Sequence, residues 1–489
     1  MASTDTTTTT TTVGLPSDFL WGFATASYQI EGGVTADGRG DSIWDVFCRI
    51  PGKIRGGHDG SVACDSYHRP GEDVALLKSL GARAYRFSIS WSRVVPLGGR
   101  GDAVNDKGLQ YYSDLVDALL REGIEPMVTL LHWDVPAELD RRYGGLLNKE
   151  EFSADFERYA RVVFEKLGSR VKYWVTFNEP WCSAQLGYGF GVFAPGHTSK
   201  REKSPVGDSG VEPWIVGHTL LLAHGKAVRA FRDEFKGKNG GEIGIVLNGD
   251  WAYPWDPNDP EDVAGAQRNL EFVIGWFLDP IYHGEYPKSM REQLGDRLPQ
   301  FTAEERALIK GSNDFYGMNH YCAHYIKHRT SPPEHADHLG NTESLPTNVH
   351  GEMVGPETES DWLFPNPAGF RHLLKWISDR AGGPTIYVTE NGTSIKGENE
   401  LPMEKILEDD FRLDFYKGYV KAMAESYTLD KVNVRGYMAW SLMDNFEWAD
   451  GYSCRFGTTY VDYENGQKRI PKKSAKELKS VFDQYLGKV

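Results

Sequence analysis

The sequence has little cysteine, and the five cysteines are Cys48, Cys64, Cys182, Cys322 and Cys454. No two of them form a CxxC pair, which argues against a zinc ribbon and against a disulfide framework. The odd number of cysteines fits a reducing compartment. The first twelve residues are rich in threonine and lack the basic start and apolar stretch of a signal peptide. We therefore expect a cytoplasmic protein.

Long apolar runs and an excess of positive charge are also absent. No stretch of about 18 apolar residues occurs, so we expect no membrane span. A net charge of −15 argues against binding to nucleic acid or to an anionic membrane. His132 has no companion His or Cys at ligand spacing, so we predict neither a metal nor a cofactor. A small-molecule substrate remains, and the choice between monomer and homo-oligomer stays open.

Eight short β-like segments alternate with helical patterns along the chain. Strands that alternate with helices indicate parallel βαβ units, and eight units without a dinucleotide glycine fingerprint favour a (β/α)₈ TIM barrel. We predict a disordered tail over residues 1–14 and one barrel domain over residues 15–489. The predicted strands are residues 19–25, 82–90, 125–133, 173–179, 242–249, 314–321, 385–390 and 434–442. The predicted helices are residues 71–80, 108–122, 152–167, 214–235, 263–277, 367–381 and 409–424.

The longest segments without a helical pattern all follow strands. They are residues 31–70, 181–210, 322–365 and 444–467. In a barrel such loops share the C-terminal face, so we expect them to form the wall of a deep pocket there.

Two carboxylates stand at predicted strand ends, Glu179 at the fourth and Glu390 at the seventh. Neutral hydrogen-bonding groups and aromatic rings occupy the other strand ends. A sugar ring needs polar partners for its hydroxyls and a flat apolar surface for its C–H faces, and glycoside hydrolysis needs two carboxyl groups. The candidate site residues are Gln29, Arg86, His132, Asn178, Glu179, Asn319, Tyr321, Glu390, Trp440, Glu447 and Trp448.

Six motifs in order give the chain a close resemblance to glycoside hydrolase family 1, the β-glucosidase family, over residues 16–485. They are DFLWGFATASYQIEG (18–32), YRFSISWSR (85–93), LHWDVP (131–136), TFNEP (176–180), YVTENG (387–392) and WSLMDNFEW (440–448). The resemblance implies a TIM barrel and an exo-acting retaining β-glucosidase that cleaves cellobiose, short β-linked oligosaccharides and aryl β-glucosides.

The resemblance also implies roles for individual residues. Glu179 matches the acid/base and Glu390 the nucleophile, with Arg86 and Tyr321 beside the nucleophile. Trp440 matches the platform under the sugar ring, and Asn319 lies near the site. The remaining residues that match sugar-binding positions are Gln29, His132, Asn178, Glu447 and Trp448. The leaving-group side varies within the family, and we place Trp181, Cys182, Phe190 and Trp362 there as guesses.

Elementary physics adds expectations that can be tested. Arg86 and Tyr321 should favour the ionised form of Glu390, whereas a dry site and a neighbouring negative charge should keep Glu179 protonated. We predict a carboxyl separation of about 5–5.5 Å, the spacing of retaining enzymes. Asn178 and Glu179 are adjacent, so a regular strand would point them to opposite faces. Because both should reach the pocket, we predict an irregular backbone there.

Several alternatives stay open or are disfavoured. A broader β-glycosidase with galactosidase or fucosidase side activity remains possible on these residues. A 6-phospho-β-glycosidase is disfavoured because the charge of Glu447 would repel phosphate, and a thioglucosidase would lack the acid at position 179. A non-catalytic glycan-binding barrel would have lost one or both carboxylates.

Overall fold

The computed structural model of the chain describes residues 12–489. Eight parallel strands form a closed barrel in which each strand pairs with its neighbours in sequence and the last pairs with the first. The predicted (β/α)₈ architecture is therefore confirmed. The strands are β1 (Leu20–Ala24), β2 (Ala84–Ser88), β3 (Glu125–Leu131), β4 (Tyr173–Asn178), β5 (Glu242–Asn248), β6 (Tyr316–Asn319), β7 (Ile386–Asn391) and β8 (Val434–Trp440).

The eight longer α-helices each follow one barrel strand and pack outside it. They are α1 (Pro70–Ser79), α2 (Asp106–Arg121), α3 (Lys149–Leu167), α4 (Glu212–Ala230), α5 (Pro260–Leu270), α6 (Pro367–Ala381), α7 (Asp410–Leu429) and α8 (Lys473–Asp483). The predicted bounds of α6 agree with the structure, because Asn366 caps its first turn and Gly382 ends it in the left-handed region. Sequence patterns missed α8. The predicted helices at 214–235 and 263–277 each run into a π-helical turn, Phe231–Phe235 and Glu271–Gly275.

Shorter elements fill the loops, so the four predicted loops are less irregular than expected. The loop after β1 contains a helix over Ile43–Cys48 with a capping box between Ser42 and Asp45. Further short α-helices are Ser27–Ile30, Trp91–Val94, Ala137–Tyr143, Trp276–Tyr282, Lys288–Leu294, Ala303–Ile309 and Met403–Leu407. A π-helix spans Cys182–Leu186, and 3₁₀ turns span Ala36–Gly38, Arg55–Gly57, Gly145–Leu147, Lys236–Lys238, Gly295–Arg297, Glu398–Glu400 and Trp448–Asp450.

Two small sheets stand beside the barrel. The strands Trp251–Pro254, Ala323–His328 and Thr342–Leu345 form one sheet, and Thr459–Asp462 pairs with Lys468–Pro471 in the other. The first sheet joins the loops that follow β5 and β6, which fixes two walls of the C-terminal face relative to each other. None of the described helices is both long and apolar enough to cross a bilayer.

The loop after β8 is held by buried charges. The Lys472 ammonium, which is fully buried, contacts Asp444 Oδ1 at 3.0 Å and Glu398 Oε1 at 2.8 Å. Arg455 also donates to Asp444, at 2.6 Å. Buried charges require such pairing, and here the pairing fixes the start of the segment that carries two of the candidate site residues.

The predicted tail lies mostly outside the described residues, which begin at position 12. Its last residue, Gly14, is bound, since its N–H donates to Thr428 Oγ1 at 3.0 Å. Leu15 then donates to the carbonyl of Tyr485. The predicted tail therefore extends too far at its C-terminal end.

Candidate active site

Glu179 follows the last residue of β4 in a conformation that no regular strand provides. Its φ is 45°, and the register between β4 and β5 shifts between Val175 and Asn178. A positive φ takes the residue out of the alternation of an extended strand. Asn319 Nδ2 donates to Glu179 Oε1 at 2.6 Å and to Asn178 Oδ1 at 3.0 Å, so both side chains reach the same neighbour. The predicted irregular backbone is confirmed.

Glu390 lies on β7 and has two strong partners. Arg86 Nη1, from β2, donates to its Oε1 at 2.7 Å, and the Tyr321 hydroxyl donates to its Oε2 at 2.7 Å. Arg86 Nη2 also donates to Asn178 Oδ1 at 2.6 Å. The arginine therefore ties the seventh and fourth strand ends together, and Glu390 is fixed at both oxygens.

The two carboxyl groups differ in their electrostatic environment. Burial, together with the charge of Glu390, raises the pKa of Glu179 to about 8. Burial also raises the pKa of Glu390 above its usual value, although Arg86 and Tyr321 oppose that rise. The expected rise in the pKa of Glu179 is confirmed. For Glu390 the predicted partners are present, but the effect of burial on its pKa is larger than theirs. Since Glu390 alone forms an ion pair, the shared environment leaves the proton on Glu179 at neutral pH.

Cys182 contacts Glu179 directly, which sequence analysis did not anticipate. Its thiol donates to Glu179 Oε2 at 3.0 Å from the first turn of the π-helix. A hydrogen bond to the carboxylate favours the charged form, and this contact lowers the pKa of Glu179 against the effect of burial. The guess that placed Cys182 on the leaving-group side therefore missed its contact with a candidate catalytic residue.

Two polar side chains at one end of the site, His132 and Gln29, each leave a buried atom without a partner among the described residues. Asn178 Nδ2 lies 3.0 Å from His132 Nε2, and burial lowers the pKa of His132 well below its usual value. The neutral ring accepts from the amide at Nε2, so Nδ1 carries the hydrogen, and this buried atom has no partner. Gln29 donates to Asn445 and to the carbonyl of Phe446, while its Oε1 is buried and unpartnered. A free donor and a free acceptor are thus available to a polar ligand.

Aromatic rings surround this end. The rings of Trp440 and Trp448 lie 5.9 and 5.8 Å from that of His132, both nearly parallel to it. Trp448 also packs against Trp133, with ring centroids 4.6 Å apart. The neighbouring Glu447 lies 3.5 Å from Gln29 Nε2, and burial and Asp450 raise its pKa well above the usual value. A raised pKa favours the neutral form of Glu447, so the expected repulsion between its charge and a phosphate group gives little reason to disfavour a 6-phospho-β-glycosidase.

One cavity of about 490 Å³ contains most of the predicted residues. His132, Glu179, Asn319, Tyr321, Glu390, Trp440, Glu447 and Trp448 line it, as do Trp181, Cys182 and Trp362 from the leaving-group guesses. Gln29, Arg86 and Asn178 lie behind the lining and contact it through the hydrogen bonds given above. Phe190 lies elsewhere, beside His338 in a neighbouring depression, so that guess was wrong. The described lining residues include no lysine or arginine that could bind a phosphate. This absence is a stronger reason to disfavour a phosphorylated sugar than the charge of Glu447.

Sequence reasoning missed part of the lining. Trp133 also lines the cavity, and the lining residues that sequence reasoning did not single out are Leu186, Val192, Phe193, Asn248, Gly249, Asp250, His324, Ala449, Asp450 and Phe456. Asn248 and Asp250 end and follow β5, a strand end to which we assigned no site residue. The other residues belong to loops whose composition can be read from the sequence but whose path cannot.

Comparison with known proteins agrees with this geometry. The sequence model of Glycosyl hydrolase family 1 matches residues 11–485. The chain belongs to this family. Beta-glucosidase 1B of Phanerodontia chrysosporium is 54% identical over 473 residues, which cover 97% of this chain and 86% of that protein.

Solved structures give the same result. A GH1 beta-glucosidase from the fungus Humicola insolens, in complex with glucose, superposes with a TM-score of 0.97 at 64% identity, covering 98% of this chain and 100% of that chain. A mutant of the rice beta-glucosidase Os3BGlu6 in a covalent complex with Glc has a TM-score of 0.92 at 40% identity, covering 96% and 99%. This family 1 member is therefore a glycoside hydrolase, and its relatives named above are β-glucosidases.

Proposed function

We propose that this family 1 enzyme is a retaining exo-β-glucosidase. It releases terminal non-reducing β-D-glucosyl residues from cellobiose, short β-linked oligosaccharides and aryl β-glucosides. The observation that supports this best is the unequal pair of carboxyl groups in one cavity: Glu390 forms an ion pair with Arg86, whereas Glu179 forms none with the described residues. Such a pair supplies one acid and one nucleophile.

In the first step, an oxygen of Glu390 forms a bond to the anomeric carbon. The bond between that carbon and the leaving oxygen breaks, and Glu179 gives its proton to that oxygen. The product of this step is a glucosyl ester of Glu390. The covalent complex with Glc described for the rice relative supports an intermediate of this kind.

In the second step, water attacks the anomeric carbon and Glu179 takes the water's proton. The negative charge of Glu390 raises the pKa of Glu179 in the free enzyme. That charge is absent from the ester, so the pKa of Glu179 falls and the residue becomes a base. Glu390 leaves as a carboxylate, and Arg86 and Tyr321 stabilise it through the contacts they already make.

The unpartnered atoms support a placement for the terminal sugar. We place its hydroxyls against His132 Nδ1, Gln29 Oε1, Asn178 and Glu447, and its C–H face on Trp440. His132 Nδ1 and Gln29 Oε1 would each gain the partner that they lack in the free protein. Trp362 lies on the cavity lining and is 47% exposed, so it suits the leaving group rather than the terminal ring.

Release of p-nitrophenol from its β-glucoside tests the proposal. Wild type should turn the substrate over, and Glu390→Ala should lose nearly all activity. Equal, negligible rates in both proteins, with the sugar still bound, would support a glycan-binding protein and refute the enzyme.

A further inference from the structure

Three side chains with metal-binding chemistry meet beside the cavity. Asp250 follows β5, whereas Cys322 and His324 follow β6, and their candidate ligand atoms all lie within 4.8 Å of one another. Asp250 and His324 line the cavity that contains Glu179 and Glu390. Motif spacing could not reveal this cluster, because its two segments are 72 residues apart.

The tautomer of His324 is fixed in the way that a metal ligand requires. Its Nε2 lies 3.1 Å from the backbone carbonyl oxygen of Trp362. A carbonyl oxygen can only accept, so Nε2 carries the hydrogen and the lone pair is on Nδ1. Metal-binding histidines are commonly oriented by such a contact at their second nitrogen. Cys322 Sγ lies 3.9 Å from Nδ1 and 4.0 Å from Nε2, and its thiol donates to the same Trp362 carbonyl at 3.4 Å.

The spacing fits zinc. Zinc–sulfur and zinc–nitrogen bonds of about 2.3 and 2.05 Å at a tetrahedral angle separate the two ligand atoms by about 3.6 Å. The observed 3.9 Å is close to this value, and a rotation of the imidazole would turn Nδ1 towards the sulfur. Asp250 Oδ1 accepts the N–H of Cys322 at 3.1 Å, which holds the carboxylate beside the pair and leaves Oδ2 as a ligand. Magnesium and calcium prefer sites made only of oxygen, so this ligand set selects against them.

We propose that Asp250, Cys322 and His324 form a zinc site whose fourth position opens into the cavity. Binding replaces the thiol proton of Cys322 by Zn²⁺ and releases that proton to solvent. The metal then occupies space beside Trp362 and Tyr321, so zinc inhibits turnover reversibly. The inhibition rests on the proposed function, whereas the binding does not.

The test is a titration of the full chain with Zn²⁺ alone. Calorimetry measures the binding, and hydrolysis of p-nitrophenyl β-glucoside measures the activity at each zinc concentration. We expect one zinc per chain, loss of activity over the same concentration range, and recovery on adding a chelator. His324→Ala and Cys322→Ser should each weaken binding at least about tenfold, the smallest loss that second-shell changes alone usually cause. Each variant's inhibition is measured relative to its own zinc-free rate.

Cys454→Ser is the matched control. Cys454 is also buried, but it contacts Ser360 Oγ and lies outside the cluster. This variant should bind zinc like the wild type. Should Cys322→Ser fail to fold, which thermal unfolding would reveal, Asp250→Asn takes its place. Zinc affinity unchanged in His324→Ala and in the second variant would overturn the site. Stoichiometric zinc binding by a wild type without glucosidase activity would support the site and refute the proposed function instead.

Discussion

The hydrogen bond from Cys182 to Glu179 makes a prediction about the pH dependence of the enzyme. The thiol donates to Glu179 Oε2 at 3.0 Å and stabilises the carboxylate form. Cys182→Ala removes this donor and leaves the 2.6 Å bond from Asn319 in place. The pKa of Glu179 should therefore rise above its value of about 8.

The size of the change follows from the strength of the bond. A hydrogen bond to a charged acceptor contributes about 1.5–3 kcal/mol. A thiol is a weak donor, so about 1 kcal/mol is a reasonable figure. Since a pKa change of one corresponds to about 1.36 kcal/mol, the pKa of Glu179 should rise by about 0.7.

The assay is kcat/KM for p-nitrophenyl β-glucoside as a function of pH, with the product quantified after quenching at one alkaline pH. This parameter reports the ionisation of the free enzyme. The alkaline limb, where Glu179 loses its proton, should move upwards in Cys182→Ala. Cys182→Ser is the control, because its hydroxyl keeps a donor at the same position. An alkaline limb that stays in place or moves downwards in Cys182→Ala would refute the reasoning.

Three further predictions concern the other catalytic contacts. Glu179→Gln should lower kcat/KM about 10²–10⁴-fold for cellobiose, whose leaving group must be protonated, and far less for 2,4-dinitrophenyl β-glucoside. Equal losses on both substrates would contradict the role of Glu179 as acid. Glu390→Gly should be inactive alone and should regain turnover with azide, giving an α-glucosyl azide; a β-azide would show that the two roles are exchanged. Tyr321→Phe removes a donor to the Glu390 carboxylate, so the pKa of Glu390 should rise. The acid limb of kcat/KM should therefore move to higher pH, and a limb that moves to lower pH would exclude this effect.

The barrel could be predicted from the sequence because its signals are local. Parallel strands buried on both faces give apolar runs such as MVTLL in β3, and caps such as Asn366 mark helix ends. The residues at the strand ends were also predictable, because a barrel brings all its carboxyl-terminal strand ends to one face. Even the irregular backbone at Glu179 followed from two adjacent side chains that need the same pocket.

What could not be predicted depends on contacts between distant segments. The contribution of Asp250 and His324 to one wall arises from the small sheet that joins the loops after β5 and β6. Phe190 was misplaced because its side chain packs against His338, whereas Leu186 and Val192 on either side of it line the cavity. The net pKa of Glu390 depends on the balance between burial and two partners, and sequence identifies the partners but not the extent of burial.

Capture of the covalent intermediate tests the central claim most directly. A 2-deoxy-2-fluoro-β-glucoside with a good leaving group should inactivate the enzyme while releasing one leaving group per chain. Peptide mass spectrometry of the inactivated enzyme should then find the fluoroglucosyl label on Glu390. Hydrolysis without any labelled peptide and with the α-anomer of 2-deoxy-2-fluoroglucose as first product, or a label on Glu179, would contradict the account.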